Sequence, residues 1–178
     1  MSFDAVLGVD LGTRVTAAVL VPLNWDGNWT RVQHVTCGEQ LHRDATDWQR
    51  VLRTAGIAQV LARLAASRSS VVAYIESYGY SQRTAAHTLG ELGGVVRYVL
   101  SRDGVELRTA NLSSARKLLL GKVPRKGQDA KEEIRVTLRA AGAPADPFES
   151  LDVCDAFTAA NWGLAELGAY ALAQAARS

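Results

Sequence analysis

Near the N-terminus the apolar positions come in short runs and alternations, the two patterns of buried and half-buried strands. "DAVLGVD" (4–10) and "RVTAAVLVPL" (14–23) read as two strands joined by a turn at Leu11-Gly12-Thr13-Arg14. "WTRVQHVTCG" (29–38) reads as a third, ending at Gly38. Short connections between them predict an antiparallel meander. The pattern then changes period. In "DATDWQRVLRTAGIAQVLARLAAS" (44–67) the apolar residues Trp48, Val51, Leu52, Ile57, Val60, Leu61 and Leu64 recur at helical spacing, with Asp44 or Thr46 able to cap the start.

"SSVVAYIES" (69–77) is a continuous apolar run, as expected of a central strand buried on both faces. After it come a helix around "RTAAHTLGELGGVVRYVLSR" (83–102), a short strand "VELRTA" (105–110) and a small helix starting near Ser113. "GKVPRKGQDA" (121–130) is broken by Gly and Pro and reads as an exposed cationic loop, followed by a helix "AKEEIRVTLRAAG" that closes on Gly142. Asp146-Pro147-Phe148-Glu149 has the spacing of a helix start, with Asp146 as cap, Pro147 in the first turn and Glu149 completing a capping box. The last helix is expected through "SLDVCDAFTAANWGLAELGAYALAQ" (150–174). The order β-β-β-α-β-α-β-α-α predicts an α/β fold with a mixed central sheet flanked by helices. At 178 residues, without repeats or linkers, residues 1–178 are expected to form a single domain.

Composition narrows the setting. Nothing at the N-terminus resembles a signal peptide, and no apolar run reaches the roughly 18 residues of a membrane span. Cys37 and Cys154 make no disulfide framework and no zinc cluster, so the expected compartment is the cytoplasm. Net charge is only +2, but all four lysines (Lys117, Lys122, Lys126 and Lys131) fall in one segment with Arg116, Arg125 and Arg135. Such clustering suits a solvated loop or a nucleic-acid backbone, from which cations release counterions.

The carboxylates carry the candidate chemistry. Asp10 interrupts an apolar strand, where a charge is costly to bury without compensation. Glu76 ends another apolar strand, and Asp152 and Asp155, three apart, share one face of a mostly apolar helix. Singly, each has an ordinary structural explanation as a strand-end or helix-start acid. Together they could form an all-oxygen cage, which favours magnesium or manganese over zinc. The turn Asp10-Leu11-Gly12-Thr13 alone also suits a phosphate-binding loop of a sugar kinase or actin-like ATPase. That reading needs a second phosphate loop, and no later Asp-x-Gly turn follows a strand.

Four segments decide among these: "GVDLGTR", "YIES", "ARKLLLGKVPRKGQDAKEEI" and "LDVCDAFTAAN". In this order they resemble the RuvC family of Holliday-junction resolvases, within the ribonuclease H-like superfamily, over roughly Val6 to Gly168. The resemblance implies a ribonuclease H-like fold, with three antiparallel strands followed by parallel ones. It implies Asp10, Glu76, Asp152 and Asp155 as metal-binding catalytic carboxylates around two Mg2+ ions, with Mn2+ as a substitute. Lys131 would take part in catalysis near the scissile phosphate. Lys117, Lys122, Arg125, Lys126 and Lys131 would contact DNA.

It further implies a homodimer that nicks a four-way DNA junction symmetrically, leaving 5′-phosphate and 3′-hydroxyl ends, without a nucleotide cofactor. In one place the chain departs from the family: Gly79 stands where an aromatic wedge is common, and Tyr78 and Tyr80 beside it could stack on bases instead. Other readings are a related nuclease for general branched DNA or RNA–DNA hybrids, and a non-catalytic junction-binding protein.

Overall fold

A computed structural model of the chain describes residues 2–38, 44–76, 86–122, 128–169 and 171–172. Five strands, β1 (Ala5–Asp10), β2 (Thr16–Pro22), β3 (Gln33–Cys37), β4 (Val71–Glu76) and β5 (Glu106–Ala110), form one sheet in the order β3-β2-β1-β4-β5. The first three pair antiparallel, whereas β4 runs parallel to β1 and β5 parallel to β4. The mixed sheet expected from the sequence is therefore present.

Strand alternation divides the core in two. Leu7, Val9, Ala73 and Ile75 point to one face, where they meet Ile57 and Leu61 of α1 (Asp47–Ala65) and Leu92, Val96 and Leu100 of α2 (Ala86–Arg102). Val6, Val72 and Tyr74 point to the other. That face is covered by α3 (Leu112–Leu120), α4 (Gln128–Ala140) and α6 (Leu151–Glu166). Asp10 and Glu76 are in step with Val6 and Tyr74, so alternation directs both carboxylates to the α6 face.

Close approach of α6 depends on small residues. A side chain on Gly8 of β1 would run into the Ala156 carbonyl, and one on Gly163 into the Tyr74 ring and Val6. The helix thus lies almost on the backbone of β1, and that places its first turns over the end of the strand. Among the described residues no helix is long and apolar enough to cross a membrane.

Local capping follows the sequence at α1, where Thr46 Oγ1 accepts from Gln49 N (3.2 Å) and Gln49 Oε1 accepts from Thr46 N (2.8 Å). The chain departs from expectation in four places. Trp29–Arg31 forms a 3-10 turn capped by Asn28 rather than the start of β3. The Trp29 ring instead joins a cluster with Trp25, Phe148 and Phe157, and its indole N–H donates to Ala141 O (2.9 Å).

Asp146 is extended (φ −87°, ψ 125°) and caps nothing; it lies within the short turn α5 (Ala145–Phe148). The last helix starts instead at Leu151, where Ser150 Oγ accepts from Val153 N. That helix also ends early, at Glu166. Gly168, with φ +71°, turns the chain there, and Ala169 N donates back to Leu164 O (2.9 Å). Finally, α4 begins at Gln128, inside the segment expected to be loop.

Candidate active site

Strand ends, a helix start and the cationic helices meet at one edge of the sheet. Asp10 is the last residue of β1, and Glu76 the last of β4, one step beyond the register pair Val9–Ile75. Asp152 and Asp155 sit in the first two turns of α6. Lys131, near the start of α4, extends its ammonium among them, 2.8 Å from Asp155 Oδ2, 3.5 Å from Asp152 Oδ1 and 3.9 Å from Asp10 Oδ2. Glu76 lies close enough for Asp155, Arg116, Lys131 and Asp10 all to act on its carboxyl. The structure brings all four carboxylates and Lys131 together.

Arg116 completes the cluster, and the sequence reading assigned it no role in the site. Its Nη2 lies 2.8 Å from Asp155 Oδ1 and 2.9 Å from Oδ2, and its Nε 3.2 Å from Oδ1. A signal for it was available. On α3, Arg116 follows Leu112 by four residues and precedes Leu119 by three, both buried, whereas Lys117 shares the exposed side with Ser113 and Ser114. Lys117 is exposed, and among the described residues no ion pair joins it to the acids. Lys122 is also exposed and pairs with Glu133 (3.3 Å). Tyr78, Gly79, Tyr80, Arg125 and Lys126 lie outside the described residues.

Electrostatics separates the acids. Asp155 is almost wholly buried (1% exposed) and carries both cations. Asp10 is nearly as enclosed (9%), but among the described residues its ion pair is the longer one to Lys131, at 3.9 Å. Burial first, and then the Asp155 charge, push the Asp10 carboxyl up to about 7 from its ordinary 3.8, against the pull of Lys131. Burial and Asp155 also raise Glu76. For Lys131, burial disfavours the ammonium, but Asp155, Asp10 and Asp152 together hold its pKa above the usual lysine value.

Among the described residues no three acidic, His or Cys side chains stand in an arrangement that could hold a metal ion. The acids are gathered on two cations instead. Their chemistry nevertheless fits a hard divalent ion: every donor is a carboxylate oxygen, and the raised Asp10 pKa marks a buried acid whose counter-charge is incomplete.

An antiparallel three-stranded meander continued by two parallel strands, with helices on both faces and acids at the ends of its central strands, is a ribonuclease H-like fold. Within that class the chain is similar to a Thermus thermophilus RuvC structure, with a TM-score of 0.61 and 20% identity over 93% of this chain and 97% of that one. It is similar also to T. thermophilus RuvC in complex with a Holliday junction substrate, with a TM-score of 0.63 and 18% identity over 92% and 96% of the two chains. At these identities the likeness is one of fold. No family model and no curated protein sequence matches the chain.

Proposed function

We propose that this protein is a divalent-cation-dependent endonuclease that resolves four-way DNA junctions by paired nicks, leaving 5′-phosphate and 3′-hydroxyl ends. The observation that carries the reading is the convergence of Asp10, Glu76, Asp152 and Asp155 from three separate elements onto Lys131 at one sheet edge. Similarity of fold to a RuvC solved with a Holliday junction supports the choice of substrate.

In this reading the four carboxylates would hold Mg2+, with Mn2+ as a substitute. The metal supplies activation of water and stabilisation of the leaving oxygen in an in-line displacement. The chain's own contribution is positional and electrostatic. β1 and β4 fix Asp10 and Glu76 on rigid backbone, and α6 presents Asp152 and Asp155 on one face. Lys131 offsets negative charge as it develops on the phosphate. We assign Lys117 and Lys122, both exposed, to contacts with the DNA backbone, and Arg125 and Lys126 the same role. Tyr78 and Tyr80 are proposed to stack on bases near the branch point.

A two-fold junction suits a two-fold enzyme. The face we propose for the homodimer spans α1 and α2, where Trp48, Leu52, Val51 and Tyr98 are more than half exposed. Beside them a groove of about 290 Å3 is lined by Val51, Ala55 and Val95 and rimmed by Asp47, Arg50 and Glu91. A Cβ on Gly90 or Gly94 would meet nothing within 4 Å among the described residues, so these glycines of α2 serve no close packing there.

The test is cleavage in Mg2+ of a synthetic four-way junction beside linear duplex, a Y-fork and an RNA–DNA hybrid. We expect preferential, paired nicking of the junction, and binding without nicking by Asp10→Asn. Wild-type cleavage by that variant would remove the carboxylate assignment. Preference for the hybrid would move the substrate to RNA–DNA duplexes, and tight junction binding without cleavage would favour a structural protein.

A further inference from the structure

Asp155 has no free valence for a metal ion. An ionised carboxylate offers about four lone-pair sites. On Asp155, Arg116 Nε and Nη2 both reach Oδ1 (3.2 and 2.8 Å), and Oδ2 receives Arg116 Nη2 (2.9 Å) and Lys131 Nζ (2.8 Å). Those four contacts saturate it, in a setting with no room for solvent. A divalent ion can use Asp155 only if one of the two cations lets go.

Both cations are partly exposed, Lys131 at 31%, but Arg116 makes three of the four contacts to Asp155, so its release is the one that frees the carboxylate. Arg116 is 18% exposed, on a helix whose adjacent residue Lys117 faces solvent, so its guanidinium lies at the boundary between the acids and the outside. Its planar fork matches a phosphate as well as it matches a carboxylate. We infer that Arg116 is an exchangeable counter-ion, which holds Asp155 in the metal-free protein and passes to a DNA phosphate when a divalent ion takes over the carboxylate. Metal and DNA binding are then coupled through one positioning residue, and by linkage each raises the affinity of the other by the same factor. This rests on the nuclease reading for its ligands, but it concerns binding rather than cleavage.

The experiment uses the full chain, a fluorescent four-way junction and Ca2+ as the probe ion, with the junction checked for integrity afterwards. Wild type should bind the junction about fivefold or more tighter in Ca2+ than in EDTA. Its log–log salt slope should steepen by about 0.9, the signature of one added phosphate contact. Arg116→Gln should lose at least half of that gain and all of the slope change. Calorimetric titration without DNA supplies a readout that a purely structural role would not produce. There Arg116→Gln should bind Ca2+ several-fold more tightly than wild type, because its competitor is gone.

Arg116→Lys, which keeps the charge but not the fork, should fall between the two, and it decides the matter if the Gln variant does not fold. A full Ca2+-dependent gain in both variants, or Ca2+ affinity that neither changes, overturns the exchange. Junction cleavage by wild type in Mg2+ alongside that result would leave the nuclease reading standing. Coupling without cleavage would do the reverse.

Discussion

At Asp10, burial and the neighbouring Asp155 charge raise the carboxyl to about 7, and Lys131 at 3.9 Å gives only partial relief. At Asp155 two cations lie within 3 Å. Removing the charge should therefore act in opposite directions at the two positions. Because the folded pKa of Asp10 exceeds its ordinary 3.8, the folded protein keeps a proton that the unfolded chain has lost. In EDTA its contribution is most favourable below about pH 4, declines as pH rises, and levels off above about 7. The loss is on the order of 4 kcal/mol at about 1.4 kcal/mol per pKa unit; the raised Glu76 acts in the same direction.

Asp10→Asn should flatten this pH dependence and raise the melting temperature at pH 8 in EDTA, by roughly 2–4 °C per kcal/mol regained. Asp155→Asn should lower it, at a cost of about 3 kcal/mol, since it leaves Arg116 and Lys131 facing a neutral amide. Melting curves of both variants at pH 5 and pH 8 decide the point. Shifts of the same sign would mean that the two acids share one electrostatic environment after all.

Among the elements, α6 does most to assemble the site. Gly8 and Gly163 let it lie against β1 and Tyr74, and its start fixes where Asp152 and Asp155 stand relative to Asp10. That start is set by Ser150, whose hydroxyl accepts from Val153 N, and not by Asp146, which is exposed and extended. Ser150→Ala is expected to cost about 1 kcal/mol in urea unfolding, and Asp146→Ala less than about 0.5 kcal/mol. A larger loss at Asp146 would place the functional cap at the earlier position.

For the whole molecule the open apolar face on α1 and α2 carries the assembly prediction. Leu52 is 52% exposed, so Leu52→Glu should leave the fold of the single chain intact while placing a charge in the proposed interface. Sedimentation should show a dimer for wild type and a monomer for the variant. On a junction the variant should give single nicks instead of paired ones. A Leu52→Glu protein that still sediments as a dimer would move the interface elsewhere.

Local rules make much of this legible along the chain alone. Period-two and period-3.6 patterning depends on near neighbours in the chain, and it located β1, β2, β4, α1 and α2 within a few residues. It also exposed Asp10 and Glu76 as charges in apolar strands. The capping box at Thr46 was readable for the same reason, since its partners are three residues apart. The start of α6 was not, because Asp146-Pro147-Phe148-Glu149 has the right spacing, yet Phe148 is drawn into an aromatic cluster with Trp25, Trp29 and Phe157 from distant segments.

By itself, then, the sequence determined the elements, their order and the acids that stand out against them. Tertiary structure alone decided which of those acids carries the cations, that the inward-facing Arg116 reaches Asp155, and that Asp155 is saturated while Asp10 is not. Those outcomes depend on distances between β1, α3, α4 and α6, and the fold sets such distances through long-range packing rather than through any pattern along the chain.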